Sequence, residues 1–415
     1  MAVRFRRAAI SGSLSSSGEL LPDRPGCPGP SHAAPACPPR RGHYNWRHKD
    51  KNHREAREMA EPTAQETFSG TKPVEEKHRF DEAALIAWMQ AHVEGFTGPL
   101  EVRQFKGGQS NPTYQLVTPG QTYVLRRKPP GKLLASAHAV DREYRVISAL
   151  YPTGFPVARP FGLCEDESVL GTVFYIMAHV EGRIIWDGSI PGVSREDRRA
   201  IYQAQVETLA RLHNTDVAAV GLQEFGKPGN YFARQIHRWT KQYRDSETQS
   251  LPHMDRLIDW LPATLPDDDQ TSIVHGDYRL DNMILHPVKN EVSAVLDWEL
   301  STLGNPLADF TYLMMNWVMP QDGGRSGLAG FDLEALGIPS IEECVAQYCG
   351  LTGRASVPDM NWYFAYNLFR LAAICQGIAG RVRDGTASSP QAAAMGARVP
   401  LLAEGAIQFA ERAGL

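Results

Sequence analysis

His275-Gly276-Asp277, with Asn282 five residues past the aspartate and Asp297 twenty past it, constrains this chain more than any other feature. Phosphoryl transfer from a nucleotide needs one carboxylate to orient the attacking hydroxyl and take its proton. It needs a second carboxylate, helped by an Asn, to hold Mg²⁺ against the phosphates. Asp277, Asn282 and Asp297 supply these groups in that order. Their flanks supply a setting. Ser272-Ile273-Val274 enters the loop as a β-branched run, Met283-Ile284-Leu285 leaves it, Lys289-Asn290-Glu291 reads as a turn, and Val292 to Leu296 is apolar again. A strand, a loop and a hairpin of this kind return Asp297 to the side of Asp277. Each residue alone reads more simply as a turn residue or a helix cap. At this spacing, between apolar strands, the set points to a metal–phosphate site.

The chain of 415 residues exceeds the ~250–300 at which a single core stops growing, so two lobes are expected. Its 42% hydrophobic and 22% charged residues are globular proportions, and a net charge of −4 gives no case for nucleic acid. No apolar run approaches the ~20 residues of a membrane span. Six cysteines without CxxC spacing indicate neither a zinc site nor a disulfide framework, and free thiols in a reducing cytoplasm are expected. The first 58 residues depart from this average, with eleven Lys/Arg against five Asp/Glu and seven prolines between Pro22 and Pro39. They cannot bury a core, and a disordered basic extension is expected over 1–78. Its first 18 residues resemble a transit peptide in lacking acids, without the apolar region that secretion requires. Met59 as the natural start, with an artefactual upstream part, is the favoured reading.

From Phe80 the pattern becomes periodic. Asp81 caps a helix to about His92, with Ala84, Leu85, Trp88 and Met89 on one face. Strands are predicted near 101–105, 112–118 and 121–127, a helix over about 138–150, and strands near 160–164 and 170–178. A helix starts at Ser194 in a sequence resembling a capping box, with Ile201, Val206, Leu209 and Leu212 as its stripe. Sheet first and helices later argue for an α+β chain in two lobes, 79–180 and 181–415.

Phosphates also need backbone donors and a cation. Gly107, Gly108, Gln109, Ser110 and Asn111 lie between two predicted strands, where glycine lets N–H groups approach an anion, although glycines between strands most often make only a hairpin turn. Period 2 puts Val124 and Arg126 on one strand face, Val124 toward an adenine ring and Arg126 toward phosphates. Glu143 is the preferred carboxylate partner of Arg126, with Asp141 as the alternative. The apolar strand ending at Met177 leads into the inter-lobe connection, whose backbone would read adenine.

The ordered motifs KGGQSN, YVLRRKP, DREYRV, HGDYRLDN, LDWE and NPLADF resemble the aminoglycoside phosphotransferase/choline kinase superfamily. The closest resemblance is to the kinase-like domain fused to long-chain acyl-CoA dehydrogenases and its free-standing bacterial relatives. It covers about residues 80–385 and implies a two-lobed protein-kinase-like fold, ATP and Mg²⁺. It implies Asp277 as catalytic base, Asn282 and Asp297 as metal ligands, Arg126 as the phosphate-binding cation and Glu143 as its ion-pair partner. Arg279 stands where related kinases place a cation near the transferred phosphoryl group. Asp309 is expected to anchor the loop through backbone N–H groups, with His275 structural, and Asn305 replaces a more usual Asp.

The acceptor is read from the helical C-terminal part. Arg370, Arg381 and Arg383, with Trp362, Tyr363 and Phe364, fit an anionic, partly apolar substrate, and equally a core with solvated arginines. The resemblance implies a hydroxyacyl-CoA, with aminoglycosides, choline and homoserine as alternatives. A non-catalytic nucleotide- or acyl-CoA-binding partner of an acyl-CoA dehydrogenase is the reading from another class.

Overall fold

The computed structural model describes residues 67–107, 111–129, 139–268, 270–321, 327–387 and 391–415. Residues 1–66, with Met59 and most of the expected extension, lie outside them. Antiparallel pairing dominates the first lobe. Strands β1 (Thr71–Lys72), β2 (Glu101–Phe105), β3 (Thr113–Val117), β4 (Thr122–Arg127), β5 (Pro160–Cys164) and β6 (Phe174–Ala178) form a sheet of order β1-β2-β3-β4-β6-β5. Thr71 and Lys72 pair with Phe105 and Gln104. The expected extension is therefore too long at its C-terminal end, because two residues too few to show a period still gain ladder partners.

Strand alternation sorts the sheet's two faces. Tyr123 and Leu125 of β4, with Phe174 and Ile176 of β6, pack on one face with Leu85 and Met89 of helix α1 (Glu82–His92). Asp81 caps α1 by accepting from Ala83 N and Ala84 N. Val124 and Arg126 take the opposite face, toward helix α2 (Val140–Leu150), whose Val146, Ile147 and Leu150 join the main core. The strand expected over 170–178 is shorter. Glu167–Leu170 turns once as a helix and closes on Gly171 before β6 begins.

The second lobe is mostly helical, and a long helix, Met360–Arg383, runs through it. Ser194 caps the helix Arg195–His213 by accepting from Asp197 N, but its own hydroxyl donates to the Asp197 carboxylate, so the reciprocal half of a capping box is not formed. Four short strands, in two pairs, interrupt the helices. β7 (Ser272–Val274) pairs with β10 (Thr302–Gly304), and β8 (Met283–Leu285) forms a hairpin with β9 (Val292–Val295). The connection after β6 docks on this hairpin, where Arg183 and Leu285 exchange N–H···O bonds of 2.9 Å. A Cβ on Gly182 would lie 2.1 Å from the Leu285 carbonyl, so only glycine fits there. Among the described residues, no helix is long and apolar enough to cross a membrane, and Cys164, Cys344, Cys349 and Cys375 are free thiols.

Candidate active site

Gly276 lets the loop after β7 turn. Its φ of 88° is open to glycine, and a Cβ there would lie 2.8 Å from the Leu300 carbonyl. Asp309, 1% exposed, accepts from the backbone N–H groups of His275 and Gly276, and His213 Nε2 lies 3.5 Å from it. Burial pushes the Asp309 carboxyl up, but His213 and these backbone donors outweigh it and hold it below the usual range. His275 sits 2.8 Å from the Leu296 carbonyl through Nε2, beside Asp297. Leu296 N–H donates to the Asn282 carbonyl at 2.8 Å. These short bonds bring positions 275–277, 282 and 297 together.

Asp277 reaches its surroundings through both oxygens, with its side chain 23% exposed. Oδ1 accepts from the Tyr312 hydroxyl at 2.9 Å and lies 3.0 Å from Arg279 Nε. Oδ2 accepts from Asn282 Nδ2 at 3.0 Å. Burial pushes this carboxyl up, but Arg279, the Tyr312 hydroxyl and Arg370 together hold it below the ordinary carboxylate range. Asp277 is therefore anionic at neutral pH and shaped to accept hydrogen bonds.

Arg126 crosses from the sheet to the hairpin. Its Nε donates to Glu143 Oε2 at 2.7 Å, and its Nη2 donates to Asp297 Oδ1. Glu143 is 1% exposed and also accepts from the Tyr175 hydroxyl at 3.2 Å. Burial raises the Glu143 carboxyl even beside the guanidinium, while the surrounding carboxylates overcome burial to raise Arg126 well above its usual value. Asp141 pairs instead with Lys128 at 3.4 Å. Val124 is buried on the face of Arg126 and pairs across the ladder with Met177.

Asp297 adopts a left-handed backbone, φ 65°, which turns its carboxylate outward with its side chain 33% exposed. Oxygens of Glu143, Asp297 and Glu299 lie within 4.8 Å of one another. Such hard carboxylate oxygens suit Mg²⁺. Asn111, fully buried, donates to Glu299 at 3.2 Å and so ties the glycine-containing loop to this corner. Of that loop, Gly107 lies beside Phe68, 3.3 Å separating its added Cβ from the Phe68 carbonyl; Gly108, Gln109 and Ser110 lie outside the described residues.

The arginine–aromatic set does not form one pocket. Trp362, Tyr363 and Phe364 are buried, with Trp362 and Tyr363 packed on Phe232 and Phe364 on Phe409. Arg381 and Arg383 are exposed, and Arg383 pairs with Asp384. Arg370 is buried beneath the loop and donates to the Gly276 carbonyl. The eleven-residue spacing puts 370 and 381 on one face, but the helix ends outside the core. Sequence reasoning missed Tyr312 and Glu299. Tyr312 lies one turn past Asp309 on the helix Leu307–Val318, a spacing that marks a shared face.

The model of a phosphotransferase enzyme family matches residues 101–338. Acyl-CoA dehydrogenase family member 10 from Mus musculus is 45% identical over 346 residues, covering 83% of this chain and 32% of that protein. Acyl-CoA dehydrogenase family member 11 from Homo sapiens is 42% identical over 342 residues, covering 81% of this chain and 44% of that protein. The chain thus spans less than half the length of these relatives. The crystal structure of a candidate aminoglycoside phosphotransferase from Ralstonia eutropha JMP134 superposes with a TM-score of 0.74 at 54% identity, covering 80% of this chain and 99% of that one. The fold is kinase-like, a two-lobed α+β architecture, and the chain belongs to the phosphotransferase enzyme family.

Proposed function

We propose that the chain transfers the γ-phosphoryl group of ATP to the hydroxyl of a small molecule. The observation that carries this reading is the convergence of Asp277, Asn282, Arg126 and Asp297 at one junction between the sheet and the catalytic-loop hairpin. Asp277 orients the acceptor hydroxyl and takes its proton as the oxygen attacks the γ-phosphorus. The bond from that phosphorus to the β–γ bridging oxygen breaks, and its electron pair leaves with ADP. Arg279, 3.0 Å from Asp277, faces the charge that develops on the equatorial oxygens. Arg126 binds the phosphates, held by Glu143, and Val124 with the strand ending near Met177 receives the adenine. Gly107 and Asn111 flank the phosphates; Gly108, Gln109 and Ser110, named for the same role, lie outside the described residues. Asn282 and Asp297 would hold Mg²⁺, which neutralises phosphate charge when bound. The nucleotide belongs to lobe 79–180, extended by β1, and the acceptor to 181–415.

The acceptor favoured by the resemblance, and by the acyl-CoA dehydrogenase names of the relatives, is a hydroxyacyl-CoA. Because the matched stretch is less than half of each of those relatives, functional association with an acyl-CoA dehydrogenase forms a second reading, in which the chain binds nucleotide or acyl-CoA for that enzyme. A phosphotransfer screen with Mg–ATP over hydroxyacyl-CoAs, aminoglycosides, choline and homoserine tests both. A phosphorylated hydroxyacyl-CoA is expected. An aminoglycoside product alone overturns the acceptor, and binding without any product favours the partner reading.

A further inference from the structure

The Asp277 carboxylate is held unequally. Oδ1 has two partners, the Tyr312 hydroxyl, which donates to it at 2.9 Å, and Arg279 Nε, ion-paired at 3.0 Å without hydrogen-bond geometry. Oδ2 has one, Asn282 Nδ2 at 3.0 Å, and keeps a lone pair for another donor. Tyr312 is itself fixed. It projects from the buried helix Leu307–Val318, and the Arg370 guanidinium lies 5.2 Å from the centre of its ring. Arg370 in turn donates to the carbonyl of Gly276, the residue before the aspartate. One helix thus grips the base through Tyr312 while a second grips its backbone through Arg370.

We propose that Tyr312 is a positioning residue: by occupying Oδ1, its hydroxyl sets the carboxylate plane and dedicates Oδ2 to the acceptor's proton. This rests on Asp277 being the base. In the step, the acceptor O–H proton passes to Oδ2, the acceptor oxygen bonds to the γ-phosphorus, and ADP leaves with the bridging electron pair. Tyr312 keeps its own proton throughout, as a phenol whose ionisation is disfavoured first by burial and then by the neighbouring Asp277 charge. Its part is orientation, worth most when the reacting atoms must meet at near-attack geometry.

Tyr312→Phe removes one oxygen and keeps the ring against Arg370. ADP release from Mg–ATP, with hydroxyacyl-CoA and with water as acceptors, is measured for Tyr312→Phe, Asp277→Asn and the double variant. The expected result is a fall in kcat of about tenfold for Tyr312→Phe with KM for ATP little changed, and no further loss in the Asp277→Asn background. Losses that multiply in the double variant, or an unchanged kcat, overturn the proposal. An Asp277→Asn variant as active as wild type instead overturns the assignment of the base. The crystal structure of Tyr312→Phe gives a readout free of turnover: the carboxylate is expected to rotate about χ2, and one left in its wild-type plane contradicts the proposal.

Discussion

Arg126 and Asp297 are 171 residues apart in the chain and joined side chain to side chain, the guanidinium donating to the carboxylate. The same guanidinium holds buried Glu143 at 2.7 Å. A flat fork with several fixed N–H donors can serve two carboxylates from two directions, which an ammonium does less well. The sheet and the segment after the β8–β9 hairpin are thereby joined through this side chain, alongside the Asn111–Glu299 hydrogen bond.

Replacing Arg126 separates its two uses. Arg126→Lys keeps the charge and loses the fork, so KM for ATP is expected to rise about tenfold with the fold retained. Arg126→Met leaves Glu143 buried without its cation and should cost about 3–5 kcal/mol of stability, read from urea unfolding. A methionine variant as stable as wild type would show that the pair is not what holds Glu143.

Gly276→Ala tests the turn. Its positive φ and the nearby Leu300 carbonyl make a Cβ strained, at a cost of about 1–3 kcal/mol. Because Asp277 is the next residue, kcat is expected to fall further than the loss of stability explains. Equal stability by thermal melt would contradict the geometry.

Asp309 gives a pH dependence. Its carboxyl is held below the unfolded value, so the folded state binds fewer protons and the contribution is fully present above about pH 4. It is lost as pH falls through the folded value. Asp309→Asn should cost about 3 kcal/mol near neutral pH, because the loop's N–H groups lose a charged acceptor. The gap between variant and wild type should then narrow on acidification. Urea midpoints against pH measure it, and a gap that widens toward acid would refute the assignment.

Glu299 lies with Asp297 in the carboxylate corner. Glu299→Gln is expected to raise the Mg²⁺ concentration for half-maximal turnover by about tenfold, with KM for ATP at saturating Mg²⁺ moved less. An unchanged Mg²⁺ titration would remove Glu299 from the metal site.

The legible parts of this fold were those governed by local rules. Asp81 and Ser194 cap the expected helices, and alternation along β4 separates Tyr123 and Leu125 from Val124 and Arg126, because that strand has a core on one side and a cleft on the other. Glu143 stood out as an acid inside an apolar stripe. What stayed hidden depended on tertiary placement. Tyr312 sits in the run LADFTYLMMNWV, whose residues are nearly all buried, so nothing local distinguishes a tyrosine with a partner from one that fills space. Arg370 interrupts an apolar helix, which signals a buried charge needing a partner, but sequence could not name the Gly276 carbonyl as that partner. Its pairing with Arg381 failed because the last residues of this 24-residue helix, Arg381 to Arg383, emerge into solvent while burial continues up to Gly380.

The role of Asp277 is tested most directly by ADP release from Mg–ATP in the presence of hydroxyacyl-CoA, comparing wild type with Asp277→Ala shown by circular dichroism to be folded. Loss of a general base predicts a fall of about 10²–10⁴-fold in acceptor-stimulated turnover, with nucleotide binding retained. Turnover unchanged in the folded variant would contradict the assignment of Asp277 as the base.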